Sequence, residues 1–207
     1  MKDLMTPQDV YQEHGFFLAK NFIPRFFADY LKQVLNTHKI NNKLEQGDPQ
    51  VQNSLCIYGD PAFDTFALMS APLLSKIVGK DLSPTYTYAR IYLNDSYLLP
   101  HLDRKECEHS VTLFLGGNYD KLWPIWMQKS EVHKTPQLCA LEEGDAVVYQ
   151  GSKVHHWRDH FEGTDYYQLF MHYVESDGKY KHLLYDTRPY IGLPSSMKRD
   201  YGHSSDQ

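Results

Sequence analysis

Thr85-Tyr86-Thr87-Tyr88-Ala89-Arg90-Ile91-Tyr92 alternates two sets of side chains along one stretch. In an extended chain Tyr86, Tyr88, Arg90 and Tyr92 share one face, and Thr85, Thr87, Ala89 and Ile91 share the other. This period of two opens a β-rich half. Further strands are predicted at 110–115, ended by Gly116-Gly117-Asn118, and then at 123–128, 138–141, 146–149 and 166–174. Turn residues such as Glu142-Glu143-Gly144-Asp145 and Gly151 separate them. Several short strands between turn signals predict a sandwich or barrel.

Upstream of Thr85 the period changes to that of helices. Thr6-Pro7-Gln8-Asp9 is a helix start, with a capping hydroxyl, Pro at the first position and an acidic residue near the positive end of the dipole. That helix is expected to reach about His14 and stop at Gly15, with a strand over 15–23. Pro24 opens a second helix whose apolar stripe is Phe27, Tyr30, Leu31, Val34 and Leu35. Residues 37–54 are polar and read as a loop near the mouth of a site. Pro61 starts a third helix, closed by Gly79. The chain is therefore expected to be one domain over 1–207. It has a helical part at about 6–80, a β core at about 85–175 and a loosely ordered polar tail from about Thr187, which a closing lid could use.

The bulk properties exclude little. Of 207 residues, 42% are hydrophobic and 23% charged, ordinary values for a globular domain with a proper core. A net charge of -5 gives no general attraction to a phosphate backbone, so nucleic acid is disfavoured as a partner. Cys56, Cys107 and Cys139 are odd in number and widely spaced, which fits a reduced, cytoplasmic setting. The opening residues lack the apolar run of a secretory leader, and no stretch is long and apolar enough for a membrane span. Sixteen Tyr, ten Phe and three Trp suit an aromatic-lined pocket, although large aromatics in strands more often fill a core. Trp123, Trp126 and Trp157 are candidates for that lining.

His101-Leu102-Asp103, followed far downstream by His156, supplies two imidazoles and one carboxylate. Residues i and i+2 of an extended chain point the same way, so His101 and Asp103 enter one space. Two His and one carboxylate suit a non-haem Fe(II) centre with open positions. Alone, a His next to an Asp is more often a surface hydrogen bond. His155 competes with His156 for the distal position, and His156 is preferred because it shares a face with Arg158. His160-Phe161-Glu162 is a weaker rival pattern. Arg158 carries a guanidinium suited to gripping a carboxylate, and its bland alternative is a surface pair with Asp159 or Asp165.

The chain resembles the Fe(II)/2-oxoglutarate-dependent dioxygenase superfamily, nearest to its small prolyl 4-hydroxylase-like and phytanoyl-CoA hydroxylase-like members. The resemblance rests on the His14-Gly15-Phe16-Phe17-Leu18-Ala19-Lys20-Asn21-Phe22-Ile23-Pro24 opening, Arg90-Ile91-Tyr92, His101-x-Asp103, the Gly144-Asp145 turn and His156, in that order over most of the chain. It implies a mainly β, α+β double-stranded β-helix (a cupin-like jelly roll) backed by N-terminal helices. It implies Fe(II) on His101, Asp103 and His156, with 2-oxoglutarate as cosubstrate and O2 as oxidant. The reaction would hydroxylate a C–H bond and release succinate and CO2. Related halogenases lack the carboxylate ligand, so Asp103 favours hydroxylation. The substrate implied is a prolyl residue or another small amino-acid-like or carboxylic metabolite, free or in a peptide. One departure stands out. Many members place the basic residue that grips 2-oxoglutarate about ten residues after the distal histidine, where this chain has Asp165, Tyr166 and Tyr167. Arg158 is the replacement candidate, with Tyr92 and Thr112 donating hydroxyls and Arg90 in reserve. The rival readings are a nucleic-acid demethylase of the AlkB type, for which no basic aromatic lid is seen, and a non-catalytic cupin-like binding module. A cupin enzyme needing no cosubstrate would favour His-x-His, which is absent.

Overall fold

The computed structural model describes residues 5–199. Two antiparallel sheets face one another. The larger holds β1 (Phe16–Ala19), β9 (Ala146–Tyr149), β6 (His109–Tyr119), β11 (Gly163–Glu175), β4 (Leu82–Leu93), β3 (Ser54–Tyr58) and β2 (Glu45–Gln46), in that spatial order. The smaller holds β5 (Leu98–His101), β10 (His155–Arg158), β7 (Ile125–Gln128) and β8 (Gln137–Cys139). This is the double-stranded β-helix that the resemblance implied. Among the described residues, no helix is long and apolar enough to cross a membrane.

Three helices cover the outer face of the larger sheet: α1 (Pro7–His14), α2 (Arg25–Ile40) and α3 (Pro61–Val78). Thr6 caps α1 as expected, and its hydroxyl and the Asp9 carboxylate form a reciprocal capping box. The outer core joins Leu31 and Leu35 of α2 and Phe63 and Leu74 of α3 to Ile91, Leu113, Val148 and Leu169 of the sheet. The inner core, between the sheets, joins Tyr92, Phe114, Tyr149 and Tyr166 to Leu98, Ile125 and Met127. The two faces of β4 therefore serve different cores. Ala89 and Ile91 meet the helices, while Tyr86, Tyr88, Arg90 and Tyr92 look into the space between the sheets.

Several local expectations are corrected. The apolar stripe of α2 holds at Phe27, Leu31, Val34 and Leu35 and gains the buried Ala28, but Tyr30 is exposed, lying against Phe27. The first strand ends at Ala19, because Asn21 turns into the left-handed region and donates its backbone N–H to Asp145. The polar 37–54 segment contains the end of α2 and the short strand β2, paired with β3. Gly116-Gly117 does not end a strand but lies within β6. A side chain at Gly117 would run into the Asp165 carbonyl of β11, so the residue is small to let two backbones close on each other.

The tail is the largest correction. Through residue 199 it is tied to the body. Arg188 is buried, reaches the Asp64 carboxylate at 2.9 Å and donates to the Thr85 carbonyl. Asp64 also accepts from the Thr87 backbone, the Thr87 hydroxyl and the Gly192 backbone. Ser204-Ser205, part of that expectation, lie outside the described residues. Removing one partner of such a buried pair strands the other charge. Asp64→Ala is therefore expected to cost about 3–5 kcal/mol of stability, a fall in melting temperature of roughly 10 °C for a chain of this size. Calorimetric or circular-dichroism melting checks it. A fall of a degree or two would mean the tail is not anchored through this pair.

Candidate metal centre and cosubstrate pocket

β5 and β10 are neighbours in the smaller sheet, and their register sets His101 directly opposite His156. Asp103 lies just beyond β5, its backbone N–H held by the Gly151 carbonyl at 2.9 Å. A Cβ at Gly151 would sit 2.7 Å from the Asp103 carboxylate and also meet the Cys107 carbonyl, so this turn residue must lack a side chain for Asp103 to pack there. Asp103 Oδ1 lies 3.6 Å from His101 Nε2 and 3.5 Å from His156 Nε2. The Nδ1 atoms of the two rings lie 2.9 Å from the Leu99 carbonyl and 3.0 Å from the Val154 carbonyl. Each carbonyl accepts the Nδ1 proton, which leaves both Nε2 lone pairs aimed at the carboxylate.

This donor set fits a divalent metal ion. One atom from each of the three residues lies within 4.8 Å of the others, close enough for a single ion to bridge all three. Burial raises the Asp103 carboxyl, but its two imidazole neighbours, His101 first and then His156, bring it well below the usual carboxylate range. It is thus the deprotonated ligand a metal needs. His155 points out of the site: it is only partly buried and pairs with Gln128 on β7, whereas His156 is buried. His160 pairs with Asp95 at the surface, away from the three ligands.

The three residues open on a cavity of about 490 Å³ between the sheets. The Tyr86, Tyr88, Arg90 and Tyr92 face of β4 lines one wall. Arg158 lies deeper and is only 2% exposed. It donates to the Trp123 carbonyl at 2.5 Å and to Gln168 Oε1 at 3.4 Å, and stacks over the Trp123 and Tyr166 rings. No carboxylate pairs with it among the described residues. The surface pairs considered from the sequence do not form: Asp159 accepts from the Trp126 indole and Asp165 from Asn118. A buried guanidinium without an anion is costly, so a carboxylate-bearing guest would relieve it. Nearby, the Tyr166 hydroxyl is buried and has no hydrogen-bond partner.

The other cosubstrate candidates are placed differently. Arg90 forms a buried ion pair with Asp48 and donates to the Tyr92 hydroxyl at 3.2 Å, so its charge is already met. Tyr92 lines the cavity. Thr112 stands behind the wall, its hydroxyl accepting from Gln168 Nε2 at 2.6 Å. None of the three tryptophans lines the cavity: Trp123 backs Arg158, and Trp126 stacks on Trp157.

Sequence reasoning missed Gln168, which links Arg158 to Thr112, and Asp48, which closes the mouth against Arg90 and Tyr88. The alternation of β11 could have flagged Gln168 as an inward polar residue between Tyr166 and Phe170. Asp48 carried only a turn signal. The 37–54 segment does reach the mouth, through Asp48, Pro49 and Gln50.

Comparison with known proteins agrees with this architecture. No family model matches the sequence, and no curated protein matches it either. Solved structures do match. A prolyl-4-hydroxylase from Pseudomonas putida superposes with a TM-score of 0.66 at 16% identity, over 81% of this chain and 96% of that one. HygX from Streptomyces hygroscopicus, with nickel, 2-oxoglutarate and hygromycin B bound, gives 0.64 at 15% identity, over 84% and 88%. The 2-oxoglutarate-dependent carbocyclase SnoK of nogalamycin biosynthesis gives 0.69 at 10% identity, over 93% and 94%. The fold is therefore that of the Fe(II)/2-oxoglutarate oxygenases.

The two adjacent histidines can be told apart by substitution. His156→Ala is expected to lower Fe(II) affinity by at least about 100-fold, because even loss of an outer partner of a metal ligand costs 10–100-fold. His155→Ala should leave affinity within about twofold of the unaltered chain. Anaerobic Fe(II) titration measures both, and the opposite pattern would move the ligand by one residue.

Proposed function

We propose that this protein is an Fe(II)- and 2-oxoglutarate-dependent oxygenase that hydroxylates a C–H bond of a compact substrate. One observation carries the reading. Two Nε2 atoms and one carboxylate converge at the wall of a cavity that also holds a buried guanidinium without an anionic partner. His101, Asp103 and His156 would hold the metal. Fe(II) held there would supply the activation of O2 that couples decarboxylation of the keto acid to oxidation of the substrate.

The protein's own residues do the rest. Arg158 binds the distal carboxylate of 2-oxoglutarate, and Tyr92, which lines the same cavity, donates its hydroxyl to it. The Leu99 and Val154 carbonyls fix the ligand rings so that their open positions face the cavity. Ser110 donates to Asp103 Oδ2 at 3.2 Å, holding the carboxylate's second oxygen away from the metal side. The aromatic wall of Tyr86, Tyr88 and Phe170 excludes water around the reacting carbon.

A space of about 490 Å³ must admit 2-oxoglutarate together with the reacting part of the substrate. That favours a prolyl residue or a small amino-acid-like metabolite over a nucleobase flipped from a duplex. The negative charge of the whole chain points the same way. The test is a panel of free proline, proline-bearing peptides and small carboxylic metabolites given to the Fe(II) protein with 2-oxoglutarate and O2. A member of the panel is expected to speed succinate release and to gain one oxygen atom by mass spectrometry. Succinate release unchanged by every member, with no oxygenated product, would remove the substrate class.

A further inference from the structure

His109 begins β6 one residue before Ser110, whose hydroxyl reaches Asp103. Strand alternation turns His109 the other way, toward α1. Its side chain is 8% exposed. Nδ1 lies 2.6 Å from the Tyr11 hydroxyl, while Nε2 is buried and has no hydrogen-bond partner. Glu175 Oε1 lies 3.7 Å from Nε2. Glu108 completes the group: one of its oxygens accepts the Glu175 backbone N–H at 3.0 Å, and its carboxylate joins His109 and Glu175 with all three ligand atoms within 4.8 Å. The cluster opens on its own cavity of about 360 Å³, bordered also by Lys80, Lys153 and Lys179.

We propose that Glu108, His109 and Glu175 form a second divalent-metal site, of the zinc type, separate from the His101, Asp103 and His156 centre. An imidazole with two carboxylates is a set zinc accepts, with water or a small anion in the fourth position. Tyr11 orients the ring: when its oxygen accepts the Nδ1 proton, the Nε2 lone pair faces the two carboxylates. Lys80 lies 3.9 Å from Glu175 Oε2 and balances that carboxylate when no metal is bound. Lys153 and Lys179 on the cavity wall suit an anionic fourth ligand. The site would tie the end of β11 to the start of β6 and, through Tyr11, to α1. It does not depend on the reaction proposed above.

The test uses the full chain, stripped with a chelator and titrated with Zn²⁺ alone. In the His101→Ala/Asp103→Ala background, which disables the other centre, one zinc per chain is expected. Adding Glu175→Gln or His109→Gln should weaken that binding at least about tenfold and abolish the rise in melting temperature that zinc produces. Glu175 is partly exposed, so its isosteric variant keeps the fold if His109→Gln does not. The unaltered chain provides a second readout: two zinc ions, falling to one in Glu175→Gln. Zinc binding that is absent from the double-alanine background, or that Glu175→Gln leaves unchanged, would overturn the proposal.

Discussion

Asp103→Ala is expected to abolish turnover and to lower Fe(II) affinity by more than about 100-fold, while leaving the metal-free fold nearly as stable as before. The reasoning starts from what the carboxylate touches. Asp103 Oδ1 lies within 3.6 Å of both ligand Nε2 atoms, and the carboxylate is the one anionic member of the set. Without it, two neutral imidazoles face a divalent ion with no charge to balance it. The metal-free protein gains little from Asp103, because the burial of its charge opposes the Ser110 hydrogen bond that holds it. Melting with and without metal therefore separates the two effects. A ligand present at 100 times its dissociation constant adds about 2.7 kcal/mol of stability. The unaltered chain should show that gain with Fe(II), and Asp103→Ala should not. Equal gains in both would remove Asp103 from the ligand set.

Arg158→Met should raise the KM for 2-oxoglutarate by at least about 30-fold, because truncating one partner of a buried charge pair costs 2 kcal/mol or more. Fe(II) affinity should change little. Met preserves the bulk packed between Trp123 and Tyr166 and removes only the charge and its hydrogen bonds. Arg158→Lys should rescue the KM only in part, since an ammonium lacks the planar fork that meets a carboxylate twice. The contrast is Arg90→Met. Its partner Asp48 lies at the mouth, so its loss should loosen that segment and weaken substrate binding more than 2-oxoglutarate binding. Steady-state kinetics with varied 2-oxoglutarate decides between them. An unchanged KM in Arg158→Met beside a raised one in Arg90→Met would move the anchor to Arg90.

Much of the architecture was legible because its signals are local. The alternation of 85–92 placed four pocket residues on one face, and Thr6 with Gly15 bounded α1. His101 and Asp103 were visible through their two-residue spacing, and His156 through the face it shares with Arg158 and the order of motifs in the resemblance; the register that sets it opposite His101 shows only in the fold. What stayed hidden depends on distant partners. Nothing near Arg188 announces Asp64, so a polar tail read as loose. Nothing near Asp48 announces Arg90. The glycines of 116–117 read as a stop, yet Gly117 serves a close approach to β11 that only the pairing reveals. The missing basic residue on the last strand has a physical counterpart. Tyr166 lies flat against Phe114, and the guanidinium of Arg158 sits over its ring. The charge therefore reaches the pocket from β10 of the facing sheet.

The measurement that bears most directly on the oxygenase reading is succinate formation by anaerobically loaded Fe(II) protein, given 2-oxoglutarate and then O2 with no substrate added. Slow succinate that requires iron, 2-oxoglutarate and O2 together, and that disappears in Asp103→Ala, is the expected result. No succinate from protein shown to hold iron would contradict it, and would leave the fold serving another cosubstrate or binding alone.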